Sequence, residues 1–216
     1  DINNLKPIKE DLSQLFNLPV ISDNYIKFIF WQADYTLNEV GKVLSLGLNQ
    51  NFFKKLKNKK KKSDNKIDFL PNIENISLSE NQLEISKELN SKINNNFSVN
   101  YLDGVTGSGK TEIYFQAVKK ALENNNQVLI MLPEILLSDQ IITKFEERFG
   151  FTPVIWHSGV SNPKKRDFFF QIVTGKASVV IGARSALHIP FKNLGLIVLD
   201  EEHDHSYKQE DQIVYN

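Results

Sequence analysis

The feature that most constrains this chain is a glycine-rich segment, Gly104–Thr111, whose sequence GVTGSGKT matches the phosphate-binding pattern G-x-x-x-x-G-K-[ST] without a mismatch. Glycines let the backbone curl around an anion, so that successive N–H groups point at phosphate oxygens. The apolar run Val99–Leu102 predicts a strand before the segment, and the helical pattern Thr111–Leu122 follows it. The segment therefore predicts a P-loop with a helix N-terminus facing the phosphates.

Each residue type in this segment has its own predicted role. Lys110 is placed to reach the β- and γ-phosphates, and the Thr111 hydroxyl to ligate the Mg²⁺ that accompanies a nucleotide. ATP with Mg²⁺ is the expected cofactor. An ordinary glycine-rich turn is the alternative, and the flanking strand and helix patterns argue against it. The other positions expected to surround the nucleotide phosphates are Gly104, Thr106, Gly107, Ser108 and Gly109.

Composition limits the remaining classes of protein. The 216 residues carry 26 basic and 26 acidic side chains, so affinity for nucleic acid has to come from local basic patches. Cysteine is absent, which excludes disulfides and cysteine-based zinc sites within these residues and agrees with a cytoplasmic location. No apolar run approaches the roughly 18 residues of a membrane span, so no membrane partner is expected.

The chain divides into three predicted parts. Residues 1–50 show apolar side chains at three- and four-residue spacings, which predicts a small helical segment. Residues 51–75 are rich in lysine, and like charges at this density predict a solvated linker. Residues 76–216 alternate helix and strand patterns and form the second compact unit. The helices expected in the first part are Pro7–Phe16, Asn24–Tyr35 and Asn38–Leu46.

The alternating patterns after residue 76 are typical of an α/β protein. Apolar strands such as Gln127–Leu132 and Leu194–Leu199 suit a parallel sheet covered on both faces. With a P-loop after the first strand, the predicted fold is a RecA-like α/β sandwich, preceded by the small helical segment. The other predicted elements are strands at Pro153–Trp156 and Ala177–Ile181 and helices at Ser79–Ile93, Glu134–Phe149 and Pro163–Thr174.

An acidic cluster follows the last predicted strand. Asp200 comes directly after this strand, which is expected to be buried, and should lie at the carboxyl edge of the sheet beside the P-loop, where it can hold Mg²⁺. Glu201 is the candidate for polarising the attacking water of a hydrolysis reaction. A solvent-facing acidic strand end is the alternative. The P-loop at this separation favours the metal site, and Lys110, Asp200 and Glu201 are the predicted catalytic residues.

Two further loops leave strand ends on the same predicted edge, Pro133–Ile135 and Gly182–Leu187. In α/β proteins this edge carries ligands. Arg184 and Ser185 offer a charged fork and a hydroxyl that suit phosphodiester oxygens. Taken alone, both loops are better explained as ordinary turns than as functional loops.

The motifs together are more specific than any one of them. Five segments, in order and at similar separations, resemble the helicase motifs of the primosomal protein N′ family of replication-restart helicases: Leu102–Tyr114, Leu132–Ile135, His157–Gly159, Ile181–Leu187 and Asp200–Gln209. Upstream, Trp31–Tyr35 and Gly41–Leu44 resemble the end of that family's N-terminal DNA-binding domain.

This resemblance implies a superfamily 2, DEAH-like motor that moves 3′ to 5′ on DNA and acts in replication restart and primosome assembly. Its expected partners are forked or single-stranded DNA, primosome proteins and single-strand binding protein. Residues Asp204–Gln209 correspond to an aromatic-rich loop that couples DNA contact to ATP hydrolysis. His203 would link the nucleotide site to the rest of the motor, while Tyr207 would stack on a base and Lys208 would hold the adjacent phosphate.

Some parts of the family pattern do not occur in these 216 residues. The second RecA-like lobe with its arginine finger is missing, and so are the cysteines that bind zinc in the family. The lysine-rich stretch stands where relatives carry a winged helix, and Ala183 and His205 replace a usual threonine and serine. The chain is therefore expected to be a fragment that does not unwind a duplex by itself.

Several alternatives stay open at this level. A P-loop kinase or small-molecule transferase would need a lid and an acceptor site, and would not carry the acidic cluster followed by aromatic residues. Another superfamily 2 DNA translocase, or a module that only binds nucleotide and DNA, remains compatible with the motifs.

Individual residues also allow two interpretations. Gln82 is equally compatible with two roles: recognition of adenine upstream of the P-loop, and the capping box that begins at Ser79. Trp31 and Tyr35 lie one helical turn apart and are expected in a core, and His157 is expected to be buried and hydrogen-bonded.

Overall fold

A four-stranded parallel sheet forms the centre of the chain. The computed structural model describes residues 21–49, 52, 78–93, 97–105, 107–137 and 139–208. The strands are β1 (Gln127–Met131), β2 (Val154–Trp156), β3 (Val179–Gly182) and β4 (Leu194–Leu199). Their spatial order is β2-β3-β1-β4, and all three strand pairs are parallel. The carboxyl ends of the four strands therefore meet at one edge of the sheet.

Helices follow the predicted pattern closely. Bounds agree within two residues, except that the predicted helix 134–149 divides into a short 3₁₀ helix, Glu134–Leu136, and α5. No described helix is long and apolar enough to cross a membrane. The predicted helix Pro7–Phe16 lies outside the described residues. The α-helices are α1 (Asp23–Tyr35), α2 (Val40–Gly47), α3 (Glu80–Lys92), α4 (Lys110–Glu123), α5 (Asp139–Phe149) and α6 (Asn162–Val173).

β1 is a fully buried interior strand, and its side chains alternate between two cores. Val128 and Ile130 pack with residues of α4 and α5, whereas Leu129 and Met131 pack with residues of α6. Burying each such side chain is worth about 1.5–3 kcal/mol. Covering both faces of a parallel sheet with helices confirms the predicted RecA-like α/β sandwich.

The strand predicted at Val99–Leu102 does not form. Residues 97–105 are irregular, and Val99 and Tyr101 are exposed. Asn100 explains part of this, because its side chain accepts a hydrogen bond from Lys92 Nζ (3.0 Å) at the end of α3 and donates to Ser98 Oγ (3.2 Å). Such local bonds compete with strand pairing, and asparagine is itself depleted in strands.

The prediction that β4 is a buried strand is also wrong. Ile197 and Leu199 are each about half exposed, and Leu194 is also exposed. Among the described residues β4 pairs with β1 alone, so it lies at an edge of the sheet. Its backbone is nevertheless paired with β1 over four consecutive residues, with Ile197 opposite Leu129 and Leu199 opposite Met131, after a register shift at Gln127 and Val128.

α1 and α2 form a small core of their own around Tyr25, Ile29, Ala33 and Val43. The expectation that Trp31 and Tyr35 belong to a core is wrong, since they are 57% and 68% exposed. Their ring centroids lie 5.3 Å apart and the rings stack on each other, because one helical turn separates the two residues on α1.

The helical segment docks on a second 3₁₀ helix, Arg184–His188, which follows β3 and is called the Arg184 turn below. Tyr25 donates its hydroxyl to the carbonyl oxygen of His188 (2.8 Å), and His188 Nε2 lies 3.1 Å from Gln32 Oε1. A Cβ on Gly47 would overlap the same carbonyl oxygen, so α2 approaches the turn through a glycine. Phe52, which falls in the predicted solvated linker, is instead buried against Trp156 and Phe169.

The buried His188 makes the stability of this contact depend on pH. Burial, and then the Arg184 charge, lower the pKa of His188 from 6.5 to about 4. Between these values the unfolded chain binds a proton that the folded chain does not. The contribution of neutral, buried His188 to the free energy of unfolding is therefore complete above pH 6.5. It is lost as the pH drops toward 4, by on the order of 3 kcal/mol.

Urea unfolding at pH 7 and pH 5 checks this expectation. The difference in unfolding free energy between the two pH values should shrink in His188→Gln, which keeps a polar partner for Gln32 and cannot titrate. His203→Gln is the matched control, because it makes the same substitution at an exposed ring outside this contact. An undiminished pH difference in His188→Gln would contradict the assignment.

Candidate nucleotide-binding site

The P-loop residues shape the start of α4. Gly107 and Gly109 have φ values of +81° and +86°, a region that favours glycine, and Gly109 is the N-cap of α4. Lys110 is the first helical residue, and its Nζ donates to the carbonyl oxygen of Gly104 at 2.5 Å. The loop thus bends back over its own lysine. Thr106 lies outside the described residues.

Gln82 has two sets of contacts near this loop. Its side chain accepts from the Ser79 backbone N–H (3.0 Å) while Ser79 Oγ accepts from the Gln82 backbone, which confirms the capping box. Its Nε2 also donates to the carbonyl oxygen of Ser108 at 2.9 Å. The N-terminus of α3 is therefore tied directly to the P-loop, and the adenine-reading role stays a proposal.

Asp200 lies where β4 ends, at the predicted edge of the sheet. Its backbone N–H donates to the carbonyl oxygen of Met131 (3.1 Å), which continues the pairing of β4 with β1. Its carboxylate accepts from the Tyr114 hydroxyl at Oδ2 (3.1 Å) and from the Glu201 backbone at Oδ1 (3.1 Å). Burial, and then the Asp200 charge, raise the pKa of Tyr114, so its phenol stays protonated and donates.

Tyr114 is a site residue that sequence reasoning missed. It lies three residues after Thr111 on α4, and this spacing puts both side chains on one face of the helix. The spacing itself was a usable signal, because a side chain one turn beyond the P-loop threonine must face the same corner. Through Tyr114 the P-loop helix and the acidic cluster come together. The joint role of Thr111 and Asp200 in holding Mg²⁺ stays a prediction.

The donor set at this corner fits Mg²⁺ that arrives with a nucleotide. Mg²⁺ takes oxygen ligands and is usually held by one or two carboxylates together with substrate phosphates. The Thr111 hydroxyl and the Asp200 carboxylate are the oxygens that would hold it here. The described residues contain no cluster of three or more histidine, cysteine or acidic side chains that would bind a metal by themselves.

The residues after Asp200 turn away from the strand. Glu201 has a φ of +52°, an uncommon value for a residue other than glycine. His203 lies between two carboxylates, with Nε2 3.6 Å from Glu201 and Nδ1 3.4 Å from Glu202. The His203 side chain is 75% exposed, so the position predicted to link the site to the rest of the motor faces solvent.

The aromatic-rich loop is closed against the sheet. Tyr207 is only 9% exposed and belongs to the core that contains Trp156 and Ala186. Its hydroxyl donates to the backbone carbonyl oxygen of Asp200 at 2.7 Å. Lys208 is exposed. In this state Tyr207 is packed in the core, and its predicted stacking on a base would require the loop to open.

Arg184 and Ser185 differ although they are neighbours. Arg184 Nη1 donates to the backbone carbonyl oxygens of Ser206 (3.1 Å) and Lys208. Ser185 is exposed. Ser185 is therefore accessible for the predicted contact with DNA phosphates. The Arg184 guanidinium is instead hydrogen-bonded to the aromatic-rich loop.

The remaining strand-end loops are tied together. Glu134 Oε1 accepts from the Ser158 backbone N–H at 3.1 Å, which joins the loop after β1 to the loop after β2. His157, expected to be buried, is half-buried, and its Nδ1 accepts from the Gly159 backbone at 3.2 Å. These contacts brace the sheet edge beside the candidate nucleotide site.

A second anchor of the P-loop helix was not foreseen from sequence. Glu112, in the first turn of α4, forms an ion pair with the buried Arg148 of α5 (3.0 Å) and a more exposed one with Lys144 (3.2 Å). Two sequence-distant helices are thereby fixed relative to each other immediately beside Thr111.

The chain is similar to known proteins over the region that carries these motifs. A family model described as DEAD/DEAH box helicase matches residues 79–215. Curated relatives called replication restart protein PriA include the protein of Rickettsia felis, 44% identical over all of this chain and 32% of the relative. The protein of Rickettsia conorii is 46% identical over 91% of this chain and 29% of the relative. The protein of Bacillus subtilis is 46% identical over 53% of this chain and 14% of the relative.

The chain thus spans about a third of the length of the curated relatives that match it most fully. The matched region begins at the capping box of α3 and includes the P-loop, the Arg184 turn and the acidic cluster. Because the family model covers more than half of the chain, and the same residues assemble the geometry described above, the chain belongs to the DEAD/DEAH box helicase family.

Proposed function

We propose that the chain is the ATP-binding lobe of a 3′-to-5′ DNA helicase that acts in replication restart. The observation that carries the proposal is the hydrogen bond from Tyr114 to Asp200, which joins the P-loop helix to the acidic cluster. The name shared by the relatives supports the role in replication restart. It also favours this role over that of another superfamily 2 translocase, and the family match argues against a P-loop kinase.

The proposed site binds ATP through the loop backbone, Lys110 and the start of α4. Lys110 would exchange the carbonyl oxygen of Gly104 for a phosphate oxygen, a stronger acceptor because it is charged. Mg²⁺ would be held by Thr111 and Asp200 and would neutralise the phosphate charge. Glu201 would orient the attacking water, and hydrolysis would then depend on positioning and charge stabilisation.

DNA is the proposed partner at the neighbouring loops. Ser185 and Lys208 would hold phosphates, Tyr207 would stack on a base, and His203 would connect this contact to the nucleotide site. The proposal is supported by continuity, because the aromatic-rich loop follows Asp200 directly and Tyr207 is bonded to its carbonyl oxygen. A cytoplasmic location, primosome proteins and single-strand binding protein as partners, and the loss of unwinding in this lobe alone are further parts of the same proposal.

Removing the ammonium of Lys110 should weaken nucleotide binding without unfolding the chain. Lys110→Ala deletes a charged donor to phosphate, so the affinity for Mg²⁺-ATP, measured by equilibrium dialysis, should fall by about ten-fold or more. Lys119→Ala, on the same helix but outside the P-loop motif, is the matched control and should bind normally. Near-wild-type affinity in Lys110→Ala would end the P-loop interpretation.

Removing the hydroxyl of Tyr114 should act through Mg²⁺. Tyr114→Phe keeps the buried ring and deletes only the bond to Asp200, so the strengthening of ATP binding by Mg²⁺ should decrease by about five-fold, as for a lost hydrogen bond. ATP binding in the presence of a chelator should hardly change. Tyr101→Phe, at an exposed ring, serves as the control. Equal losses with and without Mg²⁺ would show that Tyr114 only packs.

A further inference from the structure

The guanidinium of Arg184 joins two loops that leave different strands. Arg184 opens the turn after β3, and its two acceptors, the carbonyl oxygens of Ser206 and Lys208, belong to the loop after β4. In the sheet β1 lies between these strands, so the side chain spans the end of β1. The bonds are charge-assisted, because a cation donates both of them.

The two carbonyl groups flank Tyr207. Arg184 therefore holds the residue on each side of a tyrosine whose ring is buried and whose hydroxyl binds the Asp200 carbonyl oxygen. Inside the loop, Asp204 Oδ1 accepts from the Ser206 backbone at 2.7 Å. Among the described residues the loop thus has three polar anchors: a tyrosine hydroxyl, a local cap and the guanidinium. Of these three, the guanidinium is the one that comes from another loop.

Arg184 projects from a rigid base. Within the Arg184 turn, Ala186 and His188 are almost fully buried, and α1 and α2 cover the carbonyl end of the turn through Tyr25 and Gly47. A Cβ on Gly182, just before the turn, would crowd Ala186 and the Trp156 backbone, so the chain is tightly packed there. A side chain that is based on such a turn can fix a loop that has few other contacts.

We propose that Arg184 is a positioning residue for the site at Asp200: it keeps the aromatic-rich loop closed, with Tyr207 buried and bonded to the Asp200 backbone. Opening of the loop requires the guanidinium to leave both carbonyl oxygens. The consequence for DNA rests on the proposed function, because a phosphate is the charged acceptor that would draw Arg184 away and release Tyr207 toward a base. DNA contact and loop opening are then one event.

Tryptic cleavage after Lys208 tests the closed state directly, since Arg184 holds the carbonyl group of that scissile bond. In the absence of DNA and nucleotide, Arg184→Ala should be cleaved there about ten-fold faster than the wild type, as expected when a charge-assisted hydrogen bond is lost. Arg184→Lys should recover part of the protection. Arg166→Ala also removes one arginine, but from α6, and should be cleaved after Lys208 at the wild-type rate.

A double-mutant cycle separates positioning from general destabilisation. Tyr207→Phe keeps the ring and deletes the bond to Asp200, and in combination with Arg184→Ala its effect on cleavage should be less than multiplicative, because both changes open one loop. Equal cleavage of Arg184→Ala and wild type, or independent effects in the cycle at unchanged melting temperature, would overturn the proposal.

Adding a single-stranded oligonucleotide distinguishes this proposal from the proposed function. Faster cleavage of the wild type with DNA supports both. If DNA leaves the wild-type rate unchanged while Arg184→Ala still opens the loop, the closed state stands and the DNA contact at this loop is refuted.

Discussion

The placement of Asp200 is the constraint on which the rest of the site depends. Its backbone N–H is bound by β1, its carboxylate by Tyr114 of α4, and its carbonyl oxygen by Tyr207 of the aromatic-rich loop. Each polar group of one residue is thus held by a different element. A change in any of the three contacts would shift the residue whose carboxylate is proposed to hold Mg²⁺, so the P-loop helix and the loop proposed to contact DNA act on the same residue.

This arrangement works because its parts differ in rigidity. β1 is buried on both faces and fixes where the strands end, and the Glu112–Arg148 ion pair fixes α4 against α5. The described part of the aromatic-rich loop, up to Lys208, has instead a few hydrogen bonds and one buried ring, and segments with few buried contacts open at low cost. A rigid P-loop side beside an easily opened loop suits the proposed coupling of DNA contact to ATP hydrolysis.

Sequence patterns predicted what depends on local chemistry. Residue type and spacing predicted the glycines and lysine of the P-loop, the continuous apolar run of β1 and the acidic end of β4. Their order along the chain predicted the sandwich. The prediction of a strand at Val99–Leu102 was wrong because a short apolar run does not determine whether another strand lies beside it. Asn100 forms local hydrogen bonds instead. The burial of Phe52 and the exposure of Trp31 escaped the pattern for the same reason, since both depend on which element packs alongside. The partners of Arg184 lie 22 and 24 residues away, beyond any local pattern.

Calorimetric titration of ATP, with Mg²⁺ and with a chelator, into Asp200→Asn and Glu201→Gln tests the central claim most directly. If Asp200 holds Mg²⁺ beside the P-loop, Asp200→Asn loses most of the strengthening that Mg²⁺ gives to ATP binding. Glu201→Gln, the neighbouring carboxylate proposed to orient water, should keep that strengthening. Equal and small effects in both variants would contradict the account, because they would show that the end of β4 is only an acidic surface.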